Sequence, residues 1–297
     1  MKQKISSVTI VYNDLFYIEM MLNGVKDWAD EIVIVDGYST DGTYEFLQAE
    51  AKKDPRIKIS QHEGANPKTT NFGKARQHAY DMTTSDYVFW IDADEVLQDD
   101  ARKSLDDAMN KQIDVFDVQY IHFVHDFAHI DSSEPIHIGI VRFHKRYDDV
   151  NLDNRKIHAL STSPSFKTRG ILFNPIIFHC GYMRGMQKIY EAYIRNVTKG
   201  SFHAPFHQAF WKEWWYRGYP TKDFNPDLAP KAIKERFHLG DISHWTNKEN
   251  KEKNLNLLGD SKLNLSKRKI SDKLATPTEL ADAEELLNKI RDKGGIE

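Results

Sequence analysis

The stretch Tyr87-Val88-Phe89-Trp90-Ile91-Asp92-Ala93-Asp94-Glu95 joins an apolar run directly to a cluster of acids, and this junction indicates the fold. Its first five residues are apolar without alternation, which is typical of a strand buried on both faces of a parallel sheet. Carboxylates placed directly behind such a strand are costly to bury unless a positive group pairs with them. The stretch therefore predicts a buried sheet with a charged site at the end of one strand.

The residues before this stretch alternate between strand-like and helix-like segments. Apolar runs occupy residues 5–12, 31–35 and 57–60, while helical spacing covers 14–28, the residues after Thr43 and roughly 70–82. A further helix is expected from Asp99 to about Asn110. Strand–helix alternation at this interval predicts βαβ units, and hence an α/β fold with a largely parallel sheet flanked by helices.

The pattern changes after residue 110. Residues 115–127 and 138–143 alternate like strands of a mixed or antiparallel addition, and 171–179 predicts one or two short strands broken by Pro175. From Gly185 onward the spacing is helical, over residues 185–199, 206–216, 229–237 and 279–291. We therefore predict a sheet-based domain over residues 1–184 and a helical C-terminal extension over residues 185–297.

Composition and charge exclude several classes of protein. The chain has 297 residues, 40% of them hydrophobic, which suits a packed core and not a disordered chain. A formal net charge of -3 gives no global attraction to nucleic acid or acidic lipid. Cys180 is the single cysteine, so no internal disulfide is expected. No apolar run approaches the ~20 residues that span a bilayer. We expect a cytoplasmic protein without a transmembrane segment, which can also be peripheral to the inner face of a membrane.

Acidic residues cluster where three predicted strands end. The first strand ends in Tyr12-Asn13-Asp14, the second in the residues from Asp36 to Asp41, and the fourth in Asp92-Ala93-Asp94-Glu95. In an open parallel sheet, ligands bind beyond the carboxyl ends of the strands. Asp14 and Asp41 could equally cap the helices that follow them. The set as a whole predicts a binding site at this edge.

Asp92 and Asp94 have the spacing of a cation site. Side chains at i and i+2 of an extended segment lie on the same side, and two carboxylates there can bind a hard divalent cation and leave positions for phosphate oxygens. An EF-hand is excluded because Val96 and Leu97 stand where a ligand and the turn glycine belong. Neither a dinucleotide-binding glycine motif nor a P-loop is present, so phosphates would be held by metal and side chains.

Several motifs together resemble family 2 glycosyltransferases of the GT-A fold. They are Val8-Thr9-Ile10-Val11-Tyr12-Asn13, the run from Asp30 to Thr43, Asn71-Phe72-Gly73-Lys74-Ala75-Arg76, and the run from Asp86 to Glu95. The resemblance covers about the first hundred residues, with the motifs in the family's order. It implies the GT-A fold, a nucleotide-sugar donor and a Mn²⁺ or Mg²⁺ ion bound at a DXD motif, and the members that the chain resembles are of the bacterial polysaccharide and lipopolysaccharide-core type.

The resemblance also implies roles for individual residues. Asp36 would accept a hydrogen bond from the nucleobase imide and Tyr12 would lie against the base. Arg76 would meet the base or diphosphate, Asp92 would contact ribose or metal, and Asp94 would bind the metal directly. The other motif residues complete the nucleotide-sugar-binding set: Asn13, Asp14 and Lys74. The chain departs from the family at Gly37, where members often carry a second aspartate.

Two roles remain to be filled in the second hundred residues. His179 resembles a histidine that completes the metal or diphosphate site in some bacterial members, although a structural role is an equal alternative. Inverting transfer needs a base for the acceptor hydroxyl, and we choose Asp126 from several acids without a decisive motif. The spacing His122, His125, His129 could suggest zinc, but on a strand these positions face different sides.

The resemblance implies a metal-dependent inverting glycosyltransferase of hexosyltransferase type that uses a UDP-sugar. The alternatives are a sugar nucleotidyltransferase and a catalytically inactive GT-A-fold binding protein. The acceptor could be a glycan, a lipid-linked saccharide or another hydroxyl compound, and a nucleic acid acceptor also fits. Residues 185–297 would form the acceptor side of the protein or serve in packing and docking.

Overall fold

The protein is described here from a computed structural model that covers residues 2–67, 71–124, 126–131, 137–152, 161–183 and 221–236. The strands are β1 (Ile5–Val11), β2 (Glu31–Asp36), β3 (Ile57–Gln61), β4 (Tyr87–Trp90), β5 (Glu95–Leu97), β6 (Val115–Val124), β7 (Asp126–Asp131), β8 (His137–Lys145), β9 (Asn151–Leu152), β10 (Ser161–Thr162), β11 (Arg169–Tyr182) and β12 (Thr221–Asp223). The helices are α1 (Leu15–Val25), α2 (Thr43–Lys53), α3 (Phe72–Asp81), α4 (Ala101–Met109) and α5 (Lys231–Arg236), with 3-10 turns at Glu63–Ala65 and Pro226–Leu228.

The first four strands form the parallel sheet that the sequence predicts. Their order is β3-β2-β1-β4, and β2 and β4 both pair with β1 in parallel. Beyond β4 the sheet becomes antiparallel, since β8 pairs with β4 and β6 pairs with β8. The predicted α/β class and the antiparallel addition are both confirmed.

Both faces of the parallel sheet are covered, which explains why the interior of β2 and all of β4 are apolar. On β2, Ile32 and Ile34 belong to one buried cluster, which also contains Met21 of α1. Val33 belongs to a second cluster together with Ala75 of α3. Because successive strand residues point to opposite faces, a sheet with helices on both sides favours apolar residues at successive positions of its strands.

The described residues fall into two compact units. The first contains 2–67, 71–122, 137–152, 161–180 and 225–236; the second contains 123–124, 126–131, 181–183 and 221–224. Within the second unit, β7 pairs antiparallel with the end of β6 and with β12. The rings of Phe127 and Phe224 both pack against Phe123, with centroids 5.0 and 5.3 Å away.

The predicted boundary between residues 184 and 185 lies outside the described residues and stays a prediction. So do the predicted helices over 185–199, 206–216 and 279–291, whereas the helix predicted over 229–237 is present as α5. In the part of the chain that the structure describes, no helix combines the length and apolar character needed to cross a bilayer.

The strand predicted to break at Pro175 does not break there. β11 runs without interruption from Arg169 to Tyr182, and the peptide bond between Asn174 and Pro175 is cis. The register of β11 with β5 begins beyond the proline, at Ile177 opposite Leu97. The missing N–H of Pro175 is therefore not needed for that pairing.

Candidate active site

The loops that follow β1 and β2 are joined by hydrogen bonds at the carboxyl end of the sheet. The backbone N–H of Asn13 donates to Ser39 Oγ over 2.8 Å, and the N–H of Thr40 donates to Asn13 Oδ1 over 2.7 Å. The N–H of Asp14 donates to Thr43 Oγ1 at 3.1 Å. Asn13 and Asp14, both predicted to bind the nucleotide-sugar, thus contribute to holding this edge in one conformation.

Asp36 ends β2 as a fully buried carboxylate. Its Oδ1 accepts hydrogen bonds from the N–H of Ser39 at 2.9 Å and from Gln61 Nε2 at 3.2 Å. Its Oδ2 is buried and has no hydrogen-bond partner among the residues that the structure describes. A buried acceptor in this state is unusual in proteins, and a ligand that donates an N–H would satisfy it.

Gly37 lies where the backbone of another loop approaches most closely. A Cβ at this position would stand 2.6 Å from the backbone N of Asn66 and 2.8 Å from the carbonyl carbon of Ala65. No side chain fits there without moving backbone. The second aspartate of the family pattern is absent here because the turn at Glu63–Ala65 occupies its space.

Replacing Gly37 with alanine is expected to lower the free energy of unfolding by roughly 1–3 kcal/mol, because the new methyl group forces rigid backbone apart. Urea unfolding measures the change. Gly170→Ala is the matched control, since a Cβ there would meet the flexible end of the Ile113 side chain at 3.0 Å. Equal effects of the two substitutions would contradict this account of the departure at Gly37.

Two arginines bind the carboxylate of Asp92. Arg76 Nη2 donates to Oδ1 at 3.2 Å and Arg142 Nη2 donates to Oδ2 at 2.8 Å. Burial opposes ionisation of Asp92, but the guanidinium groups of Arg142 and Arg76 outweigh it and hold the pKa of this carboxyl well below its usual range. Asp92 is therefore ionised at neutral pH, with its negative charge balanced by protein cations.

Arg142 also connects Asp92 to two further buried groups. Its Nη2 donates to Glu95 Oε1 at 2.9 Å, and its Nε donates to the hydroxyl of Tyr120. The other oxygen of Glu95 accepts the N–H of Asp92 at 2.8 Å. Burial raises the pKa of Glu95 to about 8, and the neighbouring carboxylates of Asp92 and Asp94 act in the same direction while Arg142 opposes them.

Arg142 and Tyr120 were not predicted from the sequence to be part of the site. Arg142 lies on β8 and reaches Asp92 because β8 pairs antiparallel with β4, in a register that sets Phe143 opposite Phe89. The available signal was an arginine between apolar residues of a predicted strand, since a charged side chain so placed needs a buried partner.

Asp94 and His179 approach each other across the pairing of β5 and β11. His179 Nε2 lies 3.9 Å from Asp94 Oδ2, and the N–H of Cys180 donates to the carbonyl of Asp94 at 2.9 Å. The Nδ1 atoms of His179 and His122 are 2.9 Å apart, so that one ring donates and the other accepts. The structure thus brings together Asp94 and His179, which the sequence analysis placed in one metal site.

These residues fit a divalent cation only as part of a shared site. Among the described residues, no group of three or more His, Cys, Asp or Glu side chains could hold a metal ion. Asp94 Oδ2 and His179 Nε2 lie 3.9 Å apart. A cation between these two atoms could therefore bind both of them at ~2 Å. Two protein ligands leave positions for phosphate oxygens and water, as is usual where a cation binds together with a phosphorylated substrate.

The remaining predicted residues lie in different settings. Tyr12 is half-buried after β1, and Lys74 is exposed on the first turn of α3. Asn71 caps α3 by accepting the N–H of Lys74, and Arg76 of the same helix lies over the Trp90 ring at 5.7 Å from its centroid. Asp126 begins β7, in the second unit, with only its backbone described. Its predicted role as base stays a prediction.

The family model for glycosyl transferase family 2 matches residues 6–193, which is more than half of the chain. The chain belongs to glycosyl transferase family 2, as the motifs suggested, and its α/β sheet with the acids at the strand ends is the GT-A fold.

Curated relatives support this assignment. Glycosyltransferase SunS of Bacillus phage SPbeta is 25% identical over 195 residues, which are 64% of this chain and 42% of that protein. The putative teichuronic acid biosynthesis glycosyltransferase TuaG of Bacillus subtilis (strain 168) is 33% identical over 102 residues, 33% of this chain and 39% of that one. The chain therefore spans less than half the length of either relative.

Solved structures that the chain matches include S. aureus TarS 1-349 in complex with UDP-GlcNAc, at a TM-score of 0.43 and 15% identity over 94% of this chain and 79% of that one. The mannosyltransferase PcManGT from Pyrobaculum calidifontis in complex with GDP-Man and Mn²⁺ matches at a TM-score of 0.44 and 14% identity, over 98% and 81% of the two chains.

Proposed function

We propose that this protein transfers a sugar, with inversion, from a nucleotide-sugar to an acceptor hydroxyl, with the help of a divalent cation. The observation that carries the proposal is the buried Oδ2 of Asp36, which has no partner in the described part of the chain. A nucleobase with an imide N–H supplies the donor that this oxygen needs. The same sheet edge carries the Asp92 and Asp94 carboxylates, which suits a ligand that continues from base to diphosphate.

The base and diphosphate are assigned to separate groups of residues. Asp36 accepts the imide N–H of the base, and Tyr12 lies against the base. We propose UDP-sugars as the donor class, because uracil has such an N–H. Arg76 meets the diphosphate, because a planar guanidinium binds phosphate oxygens through several donors. Lys74, exposed at the start of α3, adds a second cation for the same phosphates, while Asn13 and Asp14 keep the loops that border the base together.

Asp94 and His179 would hold Mn²⁺ or Mg²⁺. Bound there, the ion neutralises the negative charge that develops on the departing diphosphate. His179 can offer its Nε2 lone pair when its Nδ1–H donates to His122 Nδ1, so His122 fixes the tautomer that binding requires. Both oxygens of Asp92 accept hydrogen bonds from arginines, one from Arg76 and one from Arg142. We therefore assign Asp92 the role of orienting these two arginines, and not of binding the ion directly.

A carboxylate base must remove the proton of the acceptor hydroxyl as the hydroxyl oxygen attacks the anomeric carbon. Asp126 is our proposed base, and the acceptor is a glycan or another hydroxyl compound. The proposal includes no nucleotidyl transfer, because that chemistry usually requires a glycine-rich basic loop after the first strand, and Tyr12-Asn13-Asp14-Leu15 does not form one.

A donor screen with detection of free nucleoside diphosphate tests the proposal. The full chain is incubated with Mn²⁺ and each of several UDP-sugars and GDP-sugars, with and without a mixture of saccharide acceptors. We expect slow release of UDP from one UDP-sugar without acceptor, and faster release when a suitable acceptor is present. Pyrophosphate formed from UTP and a sugar 1-phosphate would indicate a nucleotidyltransferase. Nucleotide binding without any release from any donor would indicate an inactive binding protein.

A further inference from the structure

Tyr38 has a backbone conformation that a tyrosine rarely adopts. Its φ is +64°, in the left-handed region, and 54% of its surface is exposed. Glycine, which has no Cβ, adopts this conformation easily, and asparagine tolerates it. A bulky aromatic residue such as tyrosine is strongly disfavoured there. An exposed tyrosine adds little to core packing, so burial does not account for the choice of residue.

Hydrogen bonds on both sides hold Tyr38 in this conformation. The N–H of Gly37 donates to Val11 O over 2.8 Å on one side, and the N–H of Ser39 donates to Asp36 Oδ1 over 2.9 Å on the other. Ser39 Oγ in turn accepts the N–H of Asn13 at 2.8 Å. Strained residues that persist because their surroundings over-determine them cluster at ligand-binding sites.

Tyr38 lies two residues after Asp36, whose buried Oδ2 has no partner within the described residues. We propose that Tyr38 is a nucleoside-binding residue, whose ring covers the base held by Asp36. The inference rests on the proposed function, because it requires a nucleotide donor. It adds binding strength through stacking, which any planar base can provide, while the Asp36 carboxylate selects bases with a ring N–H, such as uracil or guanine.

The test compares Tyr38→Asn and Tyr38→Phe with the wild-type chain. Calorimetry gives the Kd for UDP in the presence of Mn²⁺, and thermal unfolding gives the Tm without ligand. Asparagine tolerates a positive φ, so Tyr38→Asn is expected to unfold at a Tm no lower than that of the wild type. It should nevertheless bind UDP on the order of 10-fold more weakly, which is the size of effect typical of a lost base–aromatic stack. Tyr38→Phe keeps the ring and should bind as the wild type does.

The possible outcomes separate this inference from the proposed function. If Tyr38→Asn binds UDP as tightly as the wild type, Tyr38 does not contact the nucleoside, and the proposed function is unaffected. If Tyr38→Phe and Tyr38→Asn weaken UDP binding to the same extent, the aromatic ring is not the element that binds the nucleoside. If the wild-type chain binds neither UDP nor GDP with Mn²⁺, both the inference and the proposed function are wrong.

Discussion

Replacing Asp94 with asparagine is expected to remove the Mn²⁺-dependent part of UDP binding. Asp94 Oδ2 lies 3.9 Å from His179 Nε2, and the carboxylate supplies the negative charge of this pair. An amide keeps the shape of the side chain but loses the charge that a hard cation requires. Changes in residues that merely orient a metal ligand weaken metal affinity about 10–100-fold, so loss of the ligand itself should weaken it by at least about 100-fold.

Isothermal calorimetry with UDP, with and without Mn²⁺, measures this loss. Asp107→Asn is the matched control, because Asp107 is an exposed aspartate on α4 and the same substitution there leaves the candidate site intact. The variant Asp94→Asn should retain the weak, metal-independent affinity of the wild type, since Asp36 is unchanged. Mn²⁺-dependent binding by Asp94→Asn equal to that of Asp107→Asn would exclude Asp94 as a metal ligand.

Replacing Arg142 with methionine is expected to lower the free energy of unfolding by about 3–5 kcal/mol, the usual effect of removing one partner of a buried ion pair. The side chains of Arg142 and Glu95 are only 8% and 2% exposed, so the buried Glu95 carboxyl would lose a hydrogen-bond donor, and the ionised carboxylate of Asp92 would lose one of its two cations. The hydroxyl of Tyr120 would lose its donor at the same time. Urea unfolding of the full chain measures the difference.

Two companion variants make this second prediction specific. Lys53→Met removes a cation that is 70% exposed, while Glu50 keeps its bond to Lys26, so its effect should stay within roughly 1 kcal/mol. The double variant Arg142→Met/Asp92→Asn also removes the negative charge that lost this partner and should recover part of the stability. An effect of Arg142→Met no larger than that of Lys53→Met would show that this ion pair does not stabilise the fold.

The parallel sheet could be predicted because its signal is local. Four short apolar runs separated by helical spacing suffice to predict β1 to β4 and the helices between them. The acids at the strand ends followed from the same pattern, since the carboxyl ends of parallel strands meet at one edge. Asp36, Asp92 and Asp94 could therefore be named from the sequence, and the structure places Asp94 beside His179.

The contact between Arg142 and Asp92 could not be predicted, because it depends on pairing between distant segments. Arg142 reaches Asp92 only through the antiparallel pairing of β8 with β4, about 50 residues apart in the chain. Gly37 is explained by the approach of the turn at Glu63–Ala65, which no periodicity reveals. Likewise, the hydrogen bonds around Tyr38 include two between separate segments, from Gly37 N–H to Val11 O and from Asn13 N–H to Ser39 Oγ, which the local sequence does not reveal.

The anomalous scattering of manganese in a crystal grown with UDP and MnCl₂ locates the ion without assumptions about its ligands, and therefore decides whether Asp94 and His179 bind a cation. We predict one strong anomalous peak within coordination distance of Asp94 and His179, with the diphosphate of UDP on its open side and the uracil N–H directed at Asp36. The account would be contradicted by a crystal in which UDP is bound and Asp94 instead forms an ion pair with a lysine or arginine, with no manganese beside it.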